Sequence, residues 1–321
     1  MENLPSTTSA AKATSLFRKF PGNPILRPKG DRWESYAVFN PAAWTDGKHV
    51  YLLYRAEGPC SFAGRPVTSC IGLATSNNGF SFGPGTIPVM EPTESYEVPG
   101  GCEDPRVVQI KGSFYMTYTA YDGYTARLAL ATSTNLYDWK KEGLLFPERG
   151  WTKSAAILSK PVNGYYWMYF GDTNIWAAYS TDLRSWTIIE EPVLSPREGY
   201  FDCHLVEPGP PPVVTPEGIL LIYNAADQHL HYSVGQCLFA HDNPLLVMKR
   251  SERPFLEPET VEEKEGQVPN VIFAEGLVPF GQQWLLYYGM ADSRIGVAIL
   301  DTRSDPSYGM LDIVSTLTET P

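Results

Sequence analysis

Three carboxylates in this sequence occupy positions where an acidic side chain needs an explanation. Asp104 directly precedes an apolar run, and Pro105 after it favours an extended backbone at position 104. Glu207 and Glu275 lie in apolar surroundings, although glutamate is depleted from strands and rarely buried without a partner. Carboxylates that share one pocket suit glycosidic cleavage, in which one acid protonates the leaving oxygen and another carboxylate activates water.

Each of these carboxylates also has a purely structural interpretation. Asp104 could be a turn residue beside a structural Arg106. Glu207 and Glu275 could each form an ion pair at the centre of the fold or lie at an exposed edge. The local sequence leaves both interpretations open.

Other residues that could carry chemistry form weaker patterns. The spacing of Cys203, His204, His229 and His231 does not match a structural zinc site, so we expect no metal. The chain contains no glycine-rich phosphate loop and no G-x-S-x-G nucleophile motif, and we expect no cofactor. The aromatic residues Trp44, Trp151 and Trp176 could stack on sugar rings or pack in a core. These side chains do not decide the function.

A repeated strand pattern indicates the elements that position the carboxylates. A short run of aromatic and aliphatic residues recurs five times, at residues 51–54, 114–118, 166–170, 220–223 and 284–288. A glycine-containing turn precedes each run, another apolar strand precedes each turn, and a strand of small residues follows several residues later. The pattern predicts an all-β fold, a single five-bladed β-propeller over residues 17–321 with a central funnel, after a flexible tail at residues 1–16. A β-sandwich and a parallel β-helix fit the repeat less well.

Composition excludes several classes of partner. The 321 residues carry a net charge of −11, which disfavours nucleic acid and anionic membranes. No run approaches the length of a membrane span, and no apolar segment follows a basic start. Five widely spaced cysteines without a C-x-x-C pair argue against a disulfide framework. We expect a cytoplasmic location.

A set of short motifs carries a resemblance to a known family. The motifs occur in this order: Asn23-Pro-Ile-Leu26, Phe39-Asn-Pro-Ala42, Leu53-Tyr-Arg-Ala56, Glu103-Asp-Pro-Arg-Val107, Gly209-Pro-Pro-Pro212, Val268-Pro-Asn-Val271 and Tyr288-Gly-Met-Ala-Asp292. Each motif alone is weak, but the ordered set resembles glycoside hydrolase family 130 over nearly the whole chain after the tail. The family fold is a five-bladed propeller, which agrees with the repeat.

The resemblance implies a substrate and a set of roles. Family members act on β-mannosides, mostly as phosphorylases that release α-mannose 1-phosphate with inversion, and in a smaller group as hydrolases of β-1,2-mannosides. It implies that Asp104 is the proton donor, acting through the 3-hydroxyl of the mannosyl unit. It also implies that Asn40, Arg55 and Asp292 line the mannosyl subsite. Family members often form homo-oligomers, so this chain is a possible homo-oligomer.

The departures from the family pattern favour the hydrolase group. Asn224 and Leu205 stand where the phosphorylases carry a histidine and a lysine, and 170–172 replaces a segment with an arginine. Glu207 and Glu275 stand where phosphorylases have small neutral residues. Carboxylates beside a phosphate dianion would repel it, whereas carboxylates beside a water can act as a general base.

The resulting hypothesis is an inverting β-mannosidase that cuts β-1,2 links, with Glu207 or Glu275 activating water. The further substrate contacts that we predict are Glu103, Asp122, Lys160, Asp172 and Asn224. The alternatives are a phosphorylase whose clamp uses Arg55, Lys153 and Lys160, and a sugar-binding propeller without catalysis. A scaffold for protein partners would not need these acids.

Overall fold

The structure, a computed structural model, describes residues 17–59, 67–83, 85, 87–301 and 318–319. The predicted tail at residues 1–16 lies outside the described residues, and so does Cys60. Cys102, Cys203 and Cys237 are free thiols. Within the described part of the chain, no helix is long and apolar enough to cross a membrane.

The described strands form four hydrogen-bonded sheets, and a short strand β1 (Arg18–Lys19) comes first in the chain. The largest sheet consists of two antiparallel units joined by one parallel pairing, between Ser69 and Gly101, so five antiparallel units follow one another along the chain. The first unit contains β2 (Ala37–Thr45), β3 (Val50–Gly58) and β4 (Thr68–Ser76). The second contains β5 (Gly101–Ile110), β6 (Ser113–Tyr121), β7 (Ala126–Ser133) and β8 (Lys140–Leu144). The third contains β9 (Ala156–Ile157), β10 (Tyr166–Phe170), β11 (Trp176–Ser180) and β12 (Thr187–Ile188).

The last two units follow the same order of strands. The fourth contains β13 (Leu205–Pro208), β14 (Val213–Thr215), β15 (Gly218–Ala226), β16 (Tyr232–Ala240) and β17 (Asn243–Arg250), and β21 (Thr318–Glu319) pairs with β17. A single-turn helix α1 (Val261–Lys264) leads to the fifth unit, which contains β18 (Ile272–Phe280), β19 (Gln283–Met290) and β20 (Arg294–Asp301). The prediction of an all-β chain is confirmed.

The predicted turns join the first and second strands of the units. Gly47 and Gly112 adopt φ of 84° in the turns after β2 and β5, a conformation that glycine reaches without steric cost. The first strand of each unit therefore runs away from one end of the molecule, and the second strand returns to it. Asn40, Asp104, Glu207 and Glu275 all lie on first strands.

The repeated tyrosine of the second strands explains why these runs are aromatic. Tyr54, Tyr118, Tyr223 and Tyr288 are buried, and each hydroxyl donates a hydrogen bond to a buried carboxylate. The acceptors are Glu34, Glu97, Asp202 and Glu263, at 2.8, 2.7, 2.8 and 3.0 Å. A large apolar ring with a satisfied polar tip is stable in a core, so the repeat is a packing device.

Hydrophobic clusters lie between the units. One cluster joins each consecutive pair, and a further cluster places Leu52 of the first unit against Leu285 of the fifth. Strand β1 pairs with β20 (Arg18 opposite Ile299), so the start of the described chain completes the sheet of the last unit. Each unit thus buries both of its faces against neighbours.

Candidate active site

Three first strands carry a β-bulge at a candidate residue. The pairing of β2 with β3 shifts around Asn40, that of β5 with β6 shifts at Asp104 and Pro105, and that of β18 with β19 shifts at Glu275. A bulge adds a residue to one strand and redirects its side chain, and bulges are common next to active sites. The same irregularity thus occurs at equivalent places in the first, second and fifth units.

The backbone at two of these bulges is left-handed. Asn40 and Asp104 have φ of 47° and 48°, and Ser154, just before β9, has φ of 54°. The prediction that Pro105 keeps Asp104 extended is wrong, because Asp104 is the first residue of the bulge. Asparagine and aspartate tolerate this conformation better than other non-glycine residues.

Arg55 on β3 links the acids of the first two units. Its guanidinium contacts Glu57 at 2.7 Å, Glu103 at 2.9 Å and Asp104 at 3.3 Å, and its Nε donates to Ser69 Oγ at 3.1 Å. The side chain is 18% exposed. With three carboxylates around it, this guanidinium is fully engaged inside the protein.

Asn40 fixes the orientation of Asp104. Asn40 Nδ2 donates to Asp104 Oδ1 at 3.0 Å, and both residues are buried. Asn40 Oδ1 is buried and has no hydrogen-bond partner. It lies so close to Gly289 that a Cβ there would come within 2.3 Å of it. A buried acceptor without a partner is rare in folded proteins, and this one distinguishes Asn40 from the other residues of the bulge.

The acids around Arg55 differ in their affinity for protons. Burial acts to raise the pKa of Asp104, but Arg55, Lys153 and Arg106 together with the Asn40 hydrogen bond hold that pKa below its ordinary value. Burial raises the pKa of Glu103 to about 7, with Asp104 and Glu57 adding to the effect against Arg55. Burial likewise raises the pKa of Asp292 to about 7 against the charge of Arg55. Near neutral pH, Asp104 is therefore ionised and its neighbours hold the exchangeable protons.

Glu207 on β13 has a well-defined polar environment. Ser154 Oγ donates to Glu207 Oε2 at 2.8 Å, and Lys153 Nζ lies 3.6 Å from the same oxygen. Burial raises the pKa of Glu207, whereas Lys153 and the Ser154 hydrogen bond act to lower it. Burial acts to lower the pKa of Lys153, but Glu207 and Asp104 raise it. The pair favours a carboxylate beside an ammonium group.

Glu275 on β18 has a different environment. It is fully buried, and neither carboxyl oxygen makes a hydrogen bond. Arg106 Nη2 lies 3.0 Å from Glu275 Oε1, but the guanidinium donates its bonds to the carbonyls of Pro208, Gly209 and Asp104. Burial raises the pKa of Glu275 well above its usual range, with Arg106 acting in the opposite direction. Glu275 therefore holds a proton more readily than an exposed glutamate does.

Three of the predicted contacts have structural partners. Both ends of the Asn224 amide bond the backbone of Ala274, at 3.0 and 2.7 Å, which ties β15 to β18 across two units. The Asp122 carboxylate accepts from the turn between β6 and β7 and from Arg127 at 2.7 Å. Asp172 accepts from Trp151 Nε1 at 2.6 Å and is close enough to influence Glu207 and Lys153.

Lys160 lies away from this group. It is exposed in the connection between β9 and β10, at the opposite end of that hairpin from Ser154. Lys153, which precedes β9, is the lysine that the fold brings to the acids, because Gly171 N at the end of β10 donates to its carbonyl at 2.9 Å. The role of Lys160 as a substrate contact stays a prediction.

The sequence analysis missed several residues of the site: Glu57, Ser69, Arg106 as an ion-pair partner, Lys153 as a member of the acid group, Ser154 and Tyr232. Tyr232 lies close to Glu207, since burial and then the Glu207 charge raise the pKa of its hydroxyl. Ser154 had no usable signal, because it lies before β9, whereas Asn40 and Asp104 lie within their strands. Ser69 and Tyr232 had none, because strands far apart in the sequence bring them to the acids.

The fold and the acids together define a class of protein. Among the described residues, no group of histidine, cysteine and acidic side chains has an arrangement that could hold a metal ion. An all-β scaffold gathers carboxylates of contrasting proton affinity from separate units, and this arrangement is typical of enzymes that cleave glycosides by acid–base chemistry.

Comparisons with known proteins identify the family. The profile of glycoside hydrolase family 130, described as β-1,4-mannooligosaccharide phosphorylase, matches residues 17–304. A 1,2-β-oligomannan phosphorylase of Thermoanaerobacter sp. (strain X514) is 39% identical over 295 residues, which are 89% of this chain and 97% of that protein. The chain belongs to glycoside hydrolase family 130.

Solved structures of the family have the same architecture. One of these structures comes from work on family members that are glycoside hydrolases targeting β-1,2 mannosidic linkages in Candida mannan. It is 36% identical to this chain with a TM-score of 0.84, and the match covers 94% of this chain and 98% of that one. Another is a β-1,2-mannobiose phosphorylase from Listeria innocua in complex with β-1,2-mannobiose. It is 25% identical with a TM-score of 0.82, and the match covers 94% of this chain and 99% of that one. The similarity therefore includes both hydrolysing and phosphorolytic relatives.

Proposed function

We propose that this protein hydrolyses β-1,2-mannosides and releases mannose with inversion at the anomeric carbon. We further propose that the five units are the blades of a closed propeller and that the acids line its central funnel. The family membership and the names of the relatives support action on β-mannosides. The cluster between the fifth and first units supports closure.

The charge of the site is the observation that carries the choice of hydrolysis. The carboxylates in or beside it are Glu57, Glu103, Asp104, Asp172, Glu207, Glu275 and Asp292. The cations that act on these acids are Arg55, Arg106 and Lys153. These seven acids outnumber the three cations, so a phosphate dianion would find little net positive charge here even while Glu103 and Asp292 hold protons, whereas a water molecule needs only one basic carboxylate.

The cations are also engaged within the protein. Arg55 contacts three carboxylates, and Arg106, with a side chain 1% exposed, uses its donors on backbone carbonyls and faces Glu275. Lys153 is more accessible but already faces Glu207. A phosphorylase needs a cationic clamp whose donors are available to the dianion.

In the proposed mechanism Glu207 is the general base and Asp104 the proton donor. The mannosyl unit is held by Asn40, Arg55 and Asp292, and Glu207 removes a proton from the water that attacks the anomeric carbon. Asp104 delivers a proton through the 3-hydroxyl to the departing oxygen. Since Asp104 is ionised in the free enzyme, we expect a bound sugar to displace water, raise the pKa of Asp104 and let it take up a proton.

A phosphorylase is the second candidate, favoured by the names of the relatives. The test is digestion of β-1,2-mannobiose with and without inorganic phosphate, resolving mannose from mannose 1-phosphate. We expect free mannose at a rate independent of phosphate. Formation of mannose 1-phosphate only when phosphate is present would establish phosphorolysis instead.

A sugar-binding protein without catalysis is tested by Asp104→Asn. We expect this variant to bind β-1,2-mannobiose in calorimetry while losing turnover by two orders of magnitude or more, roughly the contribution of general acid catalysis. If the wild-type protein binds the disaccharide but releases no product under either condition, catalysis is excluded and binding is the function.

A further inference from the structure

A cavity of about 200 Å³ opens on the third unit, beside the acids of the site. Its wall includes Arg149, Trp151, Asp172, Asn174 and Trp176. These residues come from the segment that leads to β9 and from the turn between β10 and β11. None of them has a role in the mechanism proposed above.

Trp151 is the unusual residue of this cavity. Its side chain is 53% exposed, whereas Trp44 and Trp176 are partly buried against hydrophobic clusters. Its indole Nε1 donates to Asp172 Oδ2 at 2.6 Å, which restrains the ring while it stays accessible. A restrained, exposed aromatic face matches the apolar C–H face of a pyranose ring.

The polar groups of the cavity suit a neutral, hydroxyl-rich ligand. Asp172 provides an acceptor, Asn174 provides both donor and acceptor groups, and Arg149 provides donors. The Arg149 guanidinium lies over the Trp176 ring at 5.9 Å and 3.6 Å from Glu190, so its position is supported from two sides. Carboxylate, amide and guanidinium groups around an aromatic surface can bind several hydroxyls at once.

The cavity is joined to the acids through Lys153. Gly171 N donates to the Lys153 carbonyl at 2.9 Å, so the turn that carries Asp172 is fixed to the residue facing Glu207. The Asp172 charge also contributes to raising the pKa of both Lys153 and Glu207. A chain whose terminal unit is held at the acids could therefore extend into the cavity.

We propose that this cavity binds a further mannosyl unit of the substrate, on the leaving-group side of the bond that is cleaved, with Trp151 as its stacking surface. The proposal rests on the proposed function, because it assumes that the acids hold the terminal unit of the same chain. It implies that chains longer than a disaccharide bind more tightly.

Binding measured without turnover tests the subsite. In an Asp104→Asn parent, calorimetry with β-1,2-linked mannobiose, mannotriose and mannotetraose should give a Kd that falls with chain length. Adding Trp151→Ala should raise the Kd of mannotriose and mannotetraose about five- to tenfold, which is the size of one aromatic contact. It should change the Kd of mannobiose by less than about twofold. Trp151→Phe should restore part of the gain.

Tyr137→Ala is the matched control. Tyr137 is 54% exposed and lies in the turn between β7 and β8, at the end of its hairpin away from Asp104. The Tyr137→Ala variant should bind every chain with the Kd of the parent. If Trp151→Ala binds the longer chains as tightly as the parent, the subsite is refuted while the proposed function stands. If the parent binds none of the chains, the proposed substrate is refuted and the subsite with it.

Discussion

At the scale of single residues, Glu207 and Glu275 show how the surroundings set the role of a carboxylate. Both are buried, but Glu207 accepts a hydrogen bond from Ser154 and faces Lys153, while Glu275 makes no hydrogen bond at either oxygen. A carboxylate with a hydrogen-bond donor and an ammonium group beside it is well placed to accept a proton from water, whereas Glu275 faces only the Arg106 guanidinium and burial raises its pKa well above the usual range. The sequence left the choice of base open, and the environments favour Glu207.

Substitution of the two glutamates should therefore have unequal effects. Glu207→Gln removes the base, and we expect mannose release to fall by two to four orders of magnitude. Glu275→Gln keeps the shape of a side chain that makes no hydrogen bond at either oxygen, so we expect a loss of less than about tenfold. Initial rates on β-1,2-mannobiose, with melting curves to verify folding, measure both. An equal or larger loss in Glu275→Gln would contradict the assignment of the base.

Glu103 should make the protein less stable as pH rises. Its pKa of about 7 in the folded state exceeds the ordinary value of 4.5, so the folded state binds more protons than the unfolded state between those values. The free energy of unfolding consequently decreases from about pH 4.5 to pH 7, and Asp292 acts in the same direction.

Glu103→Gln should reduce this pH dependence, because the amide cannot lose a proton. We expect the decrease in Tm between pH 5 and pH 8 to shrink by several degrees, since 1 kcal/mol corresponds to roughly 2–4 °C in a chain of this size. Thermal melts across that range measure it. Glu190→Gln, at a side chain 86% exposed, is the control and should not alter the slope. An unchanged slope in Glu103→Gln would mean that the proton is held elsewhere.

At the scale of elements, the β-bulges of the first strands turn a repeated scaffold into a site. In a regular strand, side chains alternate between the two faces of the sheet. The extra residue of each bulge breaks this alternation at Asn40, Asp104 and Glu275 and changes the direction of their side chains. The repeat pattern predicted the strands and their turns, because periodicity and glycine turns are local signals. The bulges were not predicted, because pairing register depends on the partner strand.

The same reason explains which site residues the sequence could indicate. Asp104 and Glu207 were visible because an acid beside an apolar run is locally unusual. Lys153 and Ser154 matter through contacts with Glu207, which lies more than fifty residues away in the chain. Asn224 was expected at the substrate, but its amide bonds the Ala274 backbone, a contact set by how two units meet.

Gly289 on β19 should be essential for the geometry of the first bulge. A Cβ there would approach Asn40 Oδ1 to 2.3 Å and would displace the amide that orients Asp104. We expect Gly289→Ala to lower kcat/KM at least tenfold and the stability by about 1–3 kcal/mol. Gly83→Ala is the control, because its Cβ would meet only the Thr75 carbonyl, at 3.9 Å. If Gly289→Ala has wild-type kcat/KM, the absence of a side chain at position 289 is not needed to hold the Asn40 amide against Asp104.

At the scale of the whole molecule, the acids depend on all of the units remaining together. Asp104 belongs to the second unit, Glu207 to the fourth and Glu275 to the fifth, and Lys153 precedes the strands of the third. Each unit shares hydrophobic clusters with its neighbours, and the fifth shares one with the first. Loss of one interface should therefore displace acids from several units, so a loss of stability should also lower activity.

Phe17 tests this coupling at the start of the described chain. It is 3% exposed, its ring lies 5.5 Å from that of Phe255, and it packs in the cluster between the fourth and fifth units, just before β1 pairs with β20. Phe17→Ala should cost about 3–5 kcal/mol, as truncation of a buried phenylalanine does, and should lower the Tm by roughly 6–20 °C. If the five units close into one ring as proposed, calorimetry should still show one transition, and mannose release should be lost over the same temperatures. Ile87→Ala, at a side chain 72% exposed, should change neither. A second, earlier transition that leaves activity intact would show that the start of the chain and its sheet unfold independently, and would contradict closure of the five units into one ring.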